Sequence, residues 1–285
     1  MSGQSAGAPG TRTTEAFRLG GPVRRVTFRE AMDSEFAKIR SVRSTFWTLL
    51  ISLLLSVGIS LLIAAVTSAN WNTLSPESRA TTDISSTVAG VYFGVLVTGV
   101  LGVLVVSSEY SDGMMRTSLT AFPRRGTLFA AKATVLVFVV LVVGIVIGFA
   151  SYGVASPFYT RHGVDLSLTR EPNLRALIAV ALYLTLVALM GLGLGYLLRH
   201  TAAAISALVG LMFVIPIITN FLPGTAGKDV NEIVPSNAGT AMLATHMTDE
   251  NGAPRLSPVG GFVTLLVWAA VFLVPALVLF RRRDA

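Results

Sequence analysis

The chain contains no cysteine, and only 13% of its 285 residues are charged. The absence of cysteine excludes a disulfide framework and any thiolate metal site. Charge is scarce because 53% of the residues are hydrophobic, and the mean hydropathy is +0.70. A soluble domain of this length has too small an interior to bury so much apolar surface. The composition therefore predicts a membrane protein.

The sequence also lacks the motifs of common hydrolases and ATPases. It has neither an HExxH zinc motif nor a GxSxG nucleophile motif, and its three histidines, His162, His200 and His246, are scattered over predicted loops. Residues 224–228 resemble a phosphate-binding loop, but Asp229 stands where serine or threonine must hold magnesium. A folded basic surface with base-stacking aromatic residues is not predicted either, which argues against nucleic acid as a partner. We expect no catalytic residue, no bound cofactor and no metal site in this chain.

Six long apolar runs dominate the sequence. A helix needs about 20 mainly apolar residues to cross the ~30 Å hydrocarbon core of a bilayer. Runs that satisfy this requirement lie at residues 46–66, 88–106, 128–149, 176–198, 202–221 and 261–280. The first follows 45 mostly polar residues, so we expect it to stay in the protein rather than be cleaved as a signal sequence. The predicted fold class is all-α, a polytopic membrane protein whose six-helix domain covers residues 46–283.

The basic residues predict the orientation of these spans. Six crossings place both chain ends on one side, and that side collects 16 of the 22 lysines and arginines. Because basic residues are retained in the cytoplasm, the N- and C-termini and the segment 107–125 are predicted to be cytoplasmic. The loop at 222–260 is then the longest on the outer side. Residues 1–26 are rich in small and polar residues and are predicted to be a disordered cytoplasmic tail.

Residues 27–45 have the pattern of an amphipathic helix at the membrane interface. Thr27 and Glu30 have the spacing of a capping box, in which each side chain accepts a hydrogen bond from a free backbone amide of the first turn. An apolar stripe at helical spacing follows, and it consists of Phe28, Met32, Phe36 and Ile39. We expect this stripe to contact lipid before the chain turns into the membrane near Arg43. The alternative is a plain cytoplasmic extension of the first span.

Asp, Glu, His and Arg are missing from the middle of every predicted span. A carrier driven by an ion gradient usually keeps such groups there, because they bind the coupling ion. Lys132 lies about one turn into the third span, and we expect its long side chain to reach the inner interface. If the protein moves a substrate uphill, the energy is expected to come from outside its membrane part.

The segment between the second and third spans has the pattern of a docking helix. Glu109 follows the second span, Gly113 is placed to break the helix, and an apolar stripe then recurs at Met115, Leu119 and Phe122. Methionine adapts to irregular surfaces, so the stripe suits a groove on a soluble partner. The alternative is a capped loop that lies on lipid headgroups. The candidate docking residues are Glu109, Gly113, Met114, Met115, Arg116, Leu119 and Phe122.

Polar and small residues mark faces within the spans. A stripe along the first span consists of Thr48, Ser52, Ser56 and Ser60, each four residues apart. Such a stripe is typical of close helix packing, and the second interpretation is that it lines a translocation path. Glycine pairs with small-xxx-small spacing predict further packing faces, and these pairs are Gly90/Gly94, Gly144/Gly148 and Gly191/Gly195.

Four short motifs, in this order along the chain, resemble the permease subunits of bacterial type 2 ABC exporters. They are KIRSVRST at residues 38–45, EYSDG at 109–113 with Met114 where that family has threonine, PRRG at 123–126 and PSNAG at 235–239. The resemblance covers residues 27–283. It implies a multi-pass protein of the bacterial inner membrane that pairs with a second permease copy or a paralogue to form a twelve-span pore.

The same resemblance implies that a separate cytoplasmic ABC ATPase subunit binds ATP and Mg and drives transport. The helix around Glu109–Phe122 would couple to that ATPase, and the amphipathic helix would flank the docking surface. Two alternatives stay open from the residues alone. One is a membrane anchor or sensory component that transports nothing, and the other is a gradient-driven carrier.

Overall fold

The computed structural model describes residues 27–114, 125–221, 225–245 and 256–282, and every regular element in these ranges is helical. Six of the helices are long and apolar enough to cross a membrane. The predicted tail 1–26 lies outside the described residues. The all-helical fold class and the number of candidate spans are therefore confirmed.

The described ranges contain a series of α-helices. In chain order they are α1 (Phe28–Ser41), α2 (Arg43–Ala69), α3 (Pro76–Ala80), α4 (Ile84–Thr87), α5 (Val91–Ser111), α6 (Arg125–Thr160), α7 (Glu171–Leu198), α8 (Thr201–Asn220), α9 (Thr225–Ile233), α10 (Pro235–Leu243) and α11 (Pro258–Arg282). The six candidate spans are α2, α5, α6, α7, α8 and α11. Within α8, a π-helical turn occupies Gly210–Val214.

The largest difference from the predicted boundaries is in α6. The apolar run stops at residue 149, but the helix continues to Thr160 and contains 36 residues. At about 1.5 Å per residue it is roughly 54 Å long, well beyond the ~30 Å of a hydrocarbon core. The extension is held by packing, since Ala155 and Tyr159 within it are buried. Hydropathy alone cannot detect such a continuation because the added turns are mixed in polarity.

Helix α7 forms the centre of the bundle. In the most apolar window of α7, 83% of the residues are buried, compared with 17–56% in the other five spans. Helix α5 crosses α7 at glycine residues of both helices. A Cβ added at Gly102 of α5 would lie 2.0 Å from the carbonyl oxygen of Ala188. A Cβ added at Gly191 of α7 would lie 2.2 Å from the carbonyl oxygen of Gly99. The two backbones therefore touch, as small-residue helix crossings in membranes allow.

Helix α1 begins at the predicted capping box, which is confirmed. The Glu30 amide donates to Thr27 Oγ1 at 3.3 Å, and the Thr27 amide donates to Glu30 Oε2 at 2.8 Å. Val42 separates α1 from α2 with an extended backbone, so the two are distinct helices rather than one continuous span. Helix α1 packs against α6 at the end of the bundle where α2 begins and α5 ends. We call this end the α1 end.

At the opposite end of the bundle, α10 packs against α7 and α11. Gly239 packs on the ring of Tyr183 from α7, where an added Cβ would lie only 2.1 Å from Cε2. The guanidinium of Arg175 donates to the carbonyl oxygens of Met242 and Ala244 at 3.1 Å and 2.8 Å. These bonds satisfy carbonyls at the end of α10, which helix geometry otherwise leaves without partners. These contacts fix α10 to α7 at Gly239 and at its C-terminal end.

Candidate functional site

Four charged side chains meet at the α1 end, and we call them the ion cluster. Helix α1 contributes Glu35 and Lys38, α5 contributes Glu109, and α6 contributes Lys132. The Lys132 ammonium lies 2.6 Å from Glu35 Oε2 and 2.8 Å from Glu109 Oε1. The Lys38 ammonium lies 2.8 Å from Glu35 Oε1 and 3.0 Å from the same Glu109 Oε1. The cluster thus ties three helices together with two positive and two negative charges.

Burial makes these contacts energetically important. The exposed fraction is 1% for Lys132, 2% for Glu35 and 7% for Glu109. Removing a charge from water costs several kcal/mol, and close opposite charges with good hydrogen bonds must compensate for it. Here each ammonium contacts two carboxylates, so the four charges neutralise one another.

The Lys132 ammonium pairs inside the bundle rather than ending in solvent, and that this level is the inner interface stays a prediction. Its side chain is buried because α1 lies across this part of α6 and supplies Glu35 as a partner. Glu35 is not among the predicted site residues, since it lies 97 positions from Lys132 and nothing local in the sequence indicates that they meet. Only the structure shows that Ala31 and Glu35, four residues apart, form the buried face of α1.

Lys38 is the most exposed member of the ion cluster. Burial disfavours its ammonium, but the hydrogen bond and charge of Glu35 and the charge of Glu109 outweigh this effect and raise the pKa of Lys38. Its folded-state pKa therefore exceeds that of the unfolded chain. At neutral pH the stabilisation from this pairing is complete, and on the alkaline side it is lost as the pH rises through the raised pKa of Lys38.

A cavity of about 270 Å³ lies beside the ion cluster. All four cluster residues line it, and so do apolar side chains from α5. Members of three predicted sets also come together here, although they are far apart in the sequence. They are Ile39 from the interfacial helix, Thr48 from the polar stripe, and Glu109 and Met114 from the docking segment.

The rest of the polar stripe of α2 packs against α5. Ser52, Ser56 and Ser60 are completely buried, and Ser60 Oγ accepts a hydrogen bond from the Gly90 amide at 2.9 Å. A Cβ on Gly94 would lie 2.5 Å from Ser56 Oγ, so this glycine allows the close contact. Thr48 differs, since it is half-buried and donates to the Ser44 carbonyl at 2.8 Å. The structure therefore places three serines in a helix contact and only Thr48 at the cavity.

The predicted apolar stripe of α1 lies next to its buried face and is only partly exposed. Phe28 and Phe36 are each 45% exposed, while Met32 and Ile39 are half-buried. Arg43, which begins α2, is also exposed. Phe28 and Phe36 are thus available to lipid, whereas Ile39, one turn after Glu35, lines the cavity. That α1 lies in the membrane interface stays a prediction.

The helix break at Gly113 is confirmed. Helix α5 ends at Ser111, and Gly113 has a φ of +69°, a left-handed conformation that glycine adopts without a Cβ clash. Met114 follows and is 48% exposed. The remaining predicted docking residues lie outside the described residues, namely Met115, Arg116, Leu119 and Phe122.

The histidines have local roles where they are described. The ring of His162 stacks on Trp71 with 4.6 Å between centroids and lies 2.9 Å from Ser68 Oγ. His200 caps α8, since its Nδ1 accepts from the Ala203 amide at 3.3 Å. His246 is outside the described residues. In the described ranges, no three His, Cys, Asp or Glu side chains come together as a potential metal site.

Comparison with family models gives no match, and comparison with curated proteins also gives none. In the described ranges, the structure defines an all-helical fold with six helices long and apolar enough to cross a membrane. Its finer identity depends on the sequence motifs and on the geometry at the α1 end.

Proposed function

We propose that this chain is the membrane-spanning permease subunit of an ATP-binding-cassette exporter in the bacterial inner membrane. It would act with a second copy or a paralogue, and a separate cytoplasmic ATPase would bind ATP and Mg and supply the energy. Six candidate spans without Asp, Glu, His, Lys or Arg at their centres support the proposal, as do the four motifs in sequence order. The observation on which the proposal mainly rests is the ion cluster. It joins α5 and α6, the two helices that flank the predicted docking segment 109–122, to each other and to α1.

The cluster gives the docking segment a direct mechanical connection to the bundle. Residues 112–124 connect α5 to α6. The contact of 2.8 Å between Glu109 of α5 and Lys132 of α6 ties together the two helices that this connection joins. Glu35 extends the connection to α1. A partner that pushes on the segment would therefore move the ends of α5, α6 and α1 together. For this movement to drive export, the ATP-bound partner must bind one arrangement of the helices more tightly than the other.

The ion cluster also bears on the rival hypothesis of a gradient-driven carrier. All four of its residues take part in ion pairs, and they lie at one end of the spans rather than at their centres. A coupling ion needs a titratable site that it can reach within the membrane. We expect no transport in vesicles that have a proton or sodium gradient but no ATP.

The proposal is tested by measuring ATP turnover of the ATPase that co-purifies with the tagged chain from native membranes. Replacing Met115 and Leu119 together with aspartate should reduce both co-purification and chain-dependent turnover, because charge disrupts an apolar contact. The matched control replaces Val230 and Ile233 with aspartate. Both control residues are exposed on α9, at the opposite end of the bundle.

Substitution of Glu109 is a poor test of docking, because this side chain holds the ion cluster and its loss would affect folding. If the chain purifies without an ATPase, or if the Met115 and Leu119 variant keeps full turnover, the permease proposal is contradicted. A chain that inserts normally but purifies alone would indicate a membrane anchor or sensory component instead.

A further inference from the structure

A groove of about 430 Å³, lined mainly by α7 and α11, lies at the end of the bundle opposite the ion cluster. This volume falls within the ~300–1,000 Å³ of typical ligand pockets. Most of its lining is apolar, and three of the apolar side chains are well exposed, namely Leu174 at 41%, Ile178 at 45% and Val259 at 70%. The groove is therefore open at the surface of the bundle. Because α7 and α11 are candidate spans, the acyl chains of a bilayer have direct access to it.

The polar end of the groove carries one charge of each sign. Glu171 and Arg175 both line it, and they lie one turn apart at the start of α7. An acidic residue four positions before a basic residue often forms an ion pair on a helix. Here the Arg175 guanidinium donates instead to the carbonyl oxygens of Met242 and Ala244. Among the described residues, neither Glu171 nor Arg175 forms an ion pair, so both charges remain uncompensated by a side chain.

Arg175 also keeps hydrogen-bonding capacity. A guanidinium has five N–H donors in a planar fork, and the two carbonyl oxygens use two of them. The side chain is half-buried, so part of it is exposed where it lines the groove. A phosphate group suits such a fork, because its oxygens accept several charge-assisted hydrogen bonds. The polar end therefore matches a head group that contains a phosphate and, one helical turn away, a cation for Glu171.

The apolar part of the groove begins directly beside these charges. Leu174, Ile178 and Leu182 all line it and are spaced four residues apart, so they form one strip along α7. At 1.5 Å per residue the strip is about 12 Å long. A water-soluble phosphate compound would leave this strip uncovered. A lipid covers it with an acyl chain while its head group lies at the charged end.

We infer that the groove binds one zwitterionic membrane phospholipid. Its phosphate accepts hydrogen bonds from Arg175, and its cationic nitrogen lies toward Glu171. One acyl chain follows the strip from Leu174 to Leu182. The two charges distinguish this ligand from other amphiphiles: phosphatidylglycerol has no cation for Glu171, and diacylglycerol has neither charge. Phosphoethanolamine has both charges but no chain to bury.

The experiment uses the full-length chain, purified in dodecyl maltoside and washed free of lipid. Phosphatidylethanolamine, phosphatidylglycerol and diacylglycerol with identical acyl chains are titrated, and native mass spectrometry counts the lipid molecules that the protein retains. We expect phosphatidylethanolamine to saturate at one molecule per chain. Phosphatidylglycerol should bind severalfold more weakly, and diacylglycerol and free phosphoethanolamine should show no saturable binding. Equal affinity for the two phospholipids, or saturable binding of diacylglycerol, would overturn the inference.

Two variants assign the charges. Arg175→Gln should weaken phosphatidylethanolamine binding roughly ten- to a hundredfold, as expected for charge-assisted hydrogen bonds. This variant also loses the contacts with the end of α10, so its unfolding midpoint is measured beside that of the unaltered chain. Glu171→Gln changes an exposed side chain without a described partner and should leave the fold intact. It should remove the preference for phosphatidylethanolamine over phosphatidylglycerol, and a preference that persists would contradict the assignment.

A third variant places the acyl chain. Ile178→Trp puts a large ring into the groove and should reduce binding of both phospholipids. Val263→Trp is the matched control, because Val263 is 49% exposed on α11 but does not line the groove. Equal lipid binding by the two variants would contradict the site. A dimer that Ile178→Trp dissociates, with no retained lipid, would show that a second copy fills the groove and would also contradict the inference.

The inference goes beyond the proposed function, since lipid binding is measured with no ATPase present. Failure of lipid binding would leave the export proposal intact, and failure of export would leave the lipid site intact.

Discussion

At the residue scale, Lys132 is the centre of the charged interior. Its ammonium contacts carboxylates from two other helices, and its side chain is 1% exposed. A charge in such a position contributes stability only as long as its partners remain. Removing one partner leaves the others buried without compensation, which typically costs about 3–5 kcal/mol.

We therefore predict that Lys132→Met strongly destabilises the protein. The substituted side chain has a similar shape, but the carboxylates of Glu35 and Glu109 are then shared by Lys38 alone. The expected loss is about 3–5 kcal/mol, measured as a lower midpoint of thermal unfolding in detergent. Thr134→Met on the exposed face of the same helix is the control and should have little effect.

A double variant separates charge from shape. Lys132→Met combined with Glu109→Gln restores neutrality in the ion cluster, so it should recover part of the lost stability. If Lys132→Met unfolds at the same temperature as Thr134→Met, the ion cluster does not stabilise the fold as described.

Gly239 provides a second test at the residue scale. An alanine Cβ at this position would lie 2.1 Å from the ring of Tyr183, which is buried in the core and has no room to move. We expect Gly239→Ala to cost about 1–3 kcal/mol through overpacking. Gly153→Ala is the control, because a Cβ there meets nothing within 4 Å. Equal unfolding temperatures for the two variants would contradict the contact between α10 and α7.

At the element scale, the contact between α5 and α7 organises the bundle. Backbone meets backbone at the Gly102 and Gly191 positions, and a carbonyl oxygen cannot rotate out of the way as a side chain can. A single methyl group at this crossing must push the two helices apart. Because α7 is the most buried span, the displacement would disturb the packing of its other neighbours.

Gly102→Ala should therefore destabilise the protein, although alanine favours a helix over glycine by about 1 kcal/mol. The matched control is Gly58→Ala in the middle of α2, where a Cβ meets nothing within 4 Å and the helix preference acts alone. We expect the unfolding midpoint to fall for Gly102→Ala and to stay level or rise for Gly58→Ala. The opposite order would show that the crossing is looser than the structure indicates.

The elements also show what the sequence could predict. Hydropathy identified all six spans because a membrane imposes a long apolar run on every crossing helix. The capping box was readable because Thr27 and Glu30 are only three residues apart. The length of α6 was missed because its last turns are fixed by tertiary packing of Ala155 and Tyr159 rather than by hydropathy.

The candidate site was predictable only in pieces. Glu109 and Thr48 were singled out for separate roles, but nothing in the sequence places both beside one cavity. The pairing of Lys132 with Glu35 joins residues 97 positions apart, and no local pattern encodes that distance. Long-range side-chain pairing of this kind needs the folded bundle.

At the scale of the whole molecule, the buried ion pairs are separated from the apolar middle of the candidate spans. The ion cluster lies at one end of the spans, and α9 and α10 cover the other end. This polarity fits a protein that receives force from a partner at the α1 end and opens toward the opposite side. The proposal requires residues 107–125 to face the cytoplasm, where an ATPase has access to them.

The absence of cysteine makes the decisive measurement simple, because one introduced cysteine is then the only thiol in the chain. Leu119→Cys is labelled with a membrane-impermeant maleimide in inverted vesicles and in spheroplasts, with and without the ATPase. Val230→Cys in α9 is the control for the opposite side. We predict that Leu119→Cys reacts only in inverted vesicles and is protected by the ATPase, while Val230→Cys reacts only in spheroplasts. Labelling of Leu119→Cys in spheroplasts, or equal labelling with and without the ATPase, would contradict a permease driven through this segment.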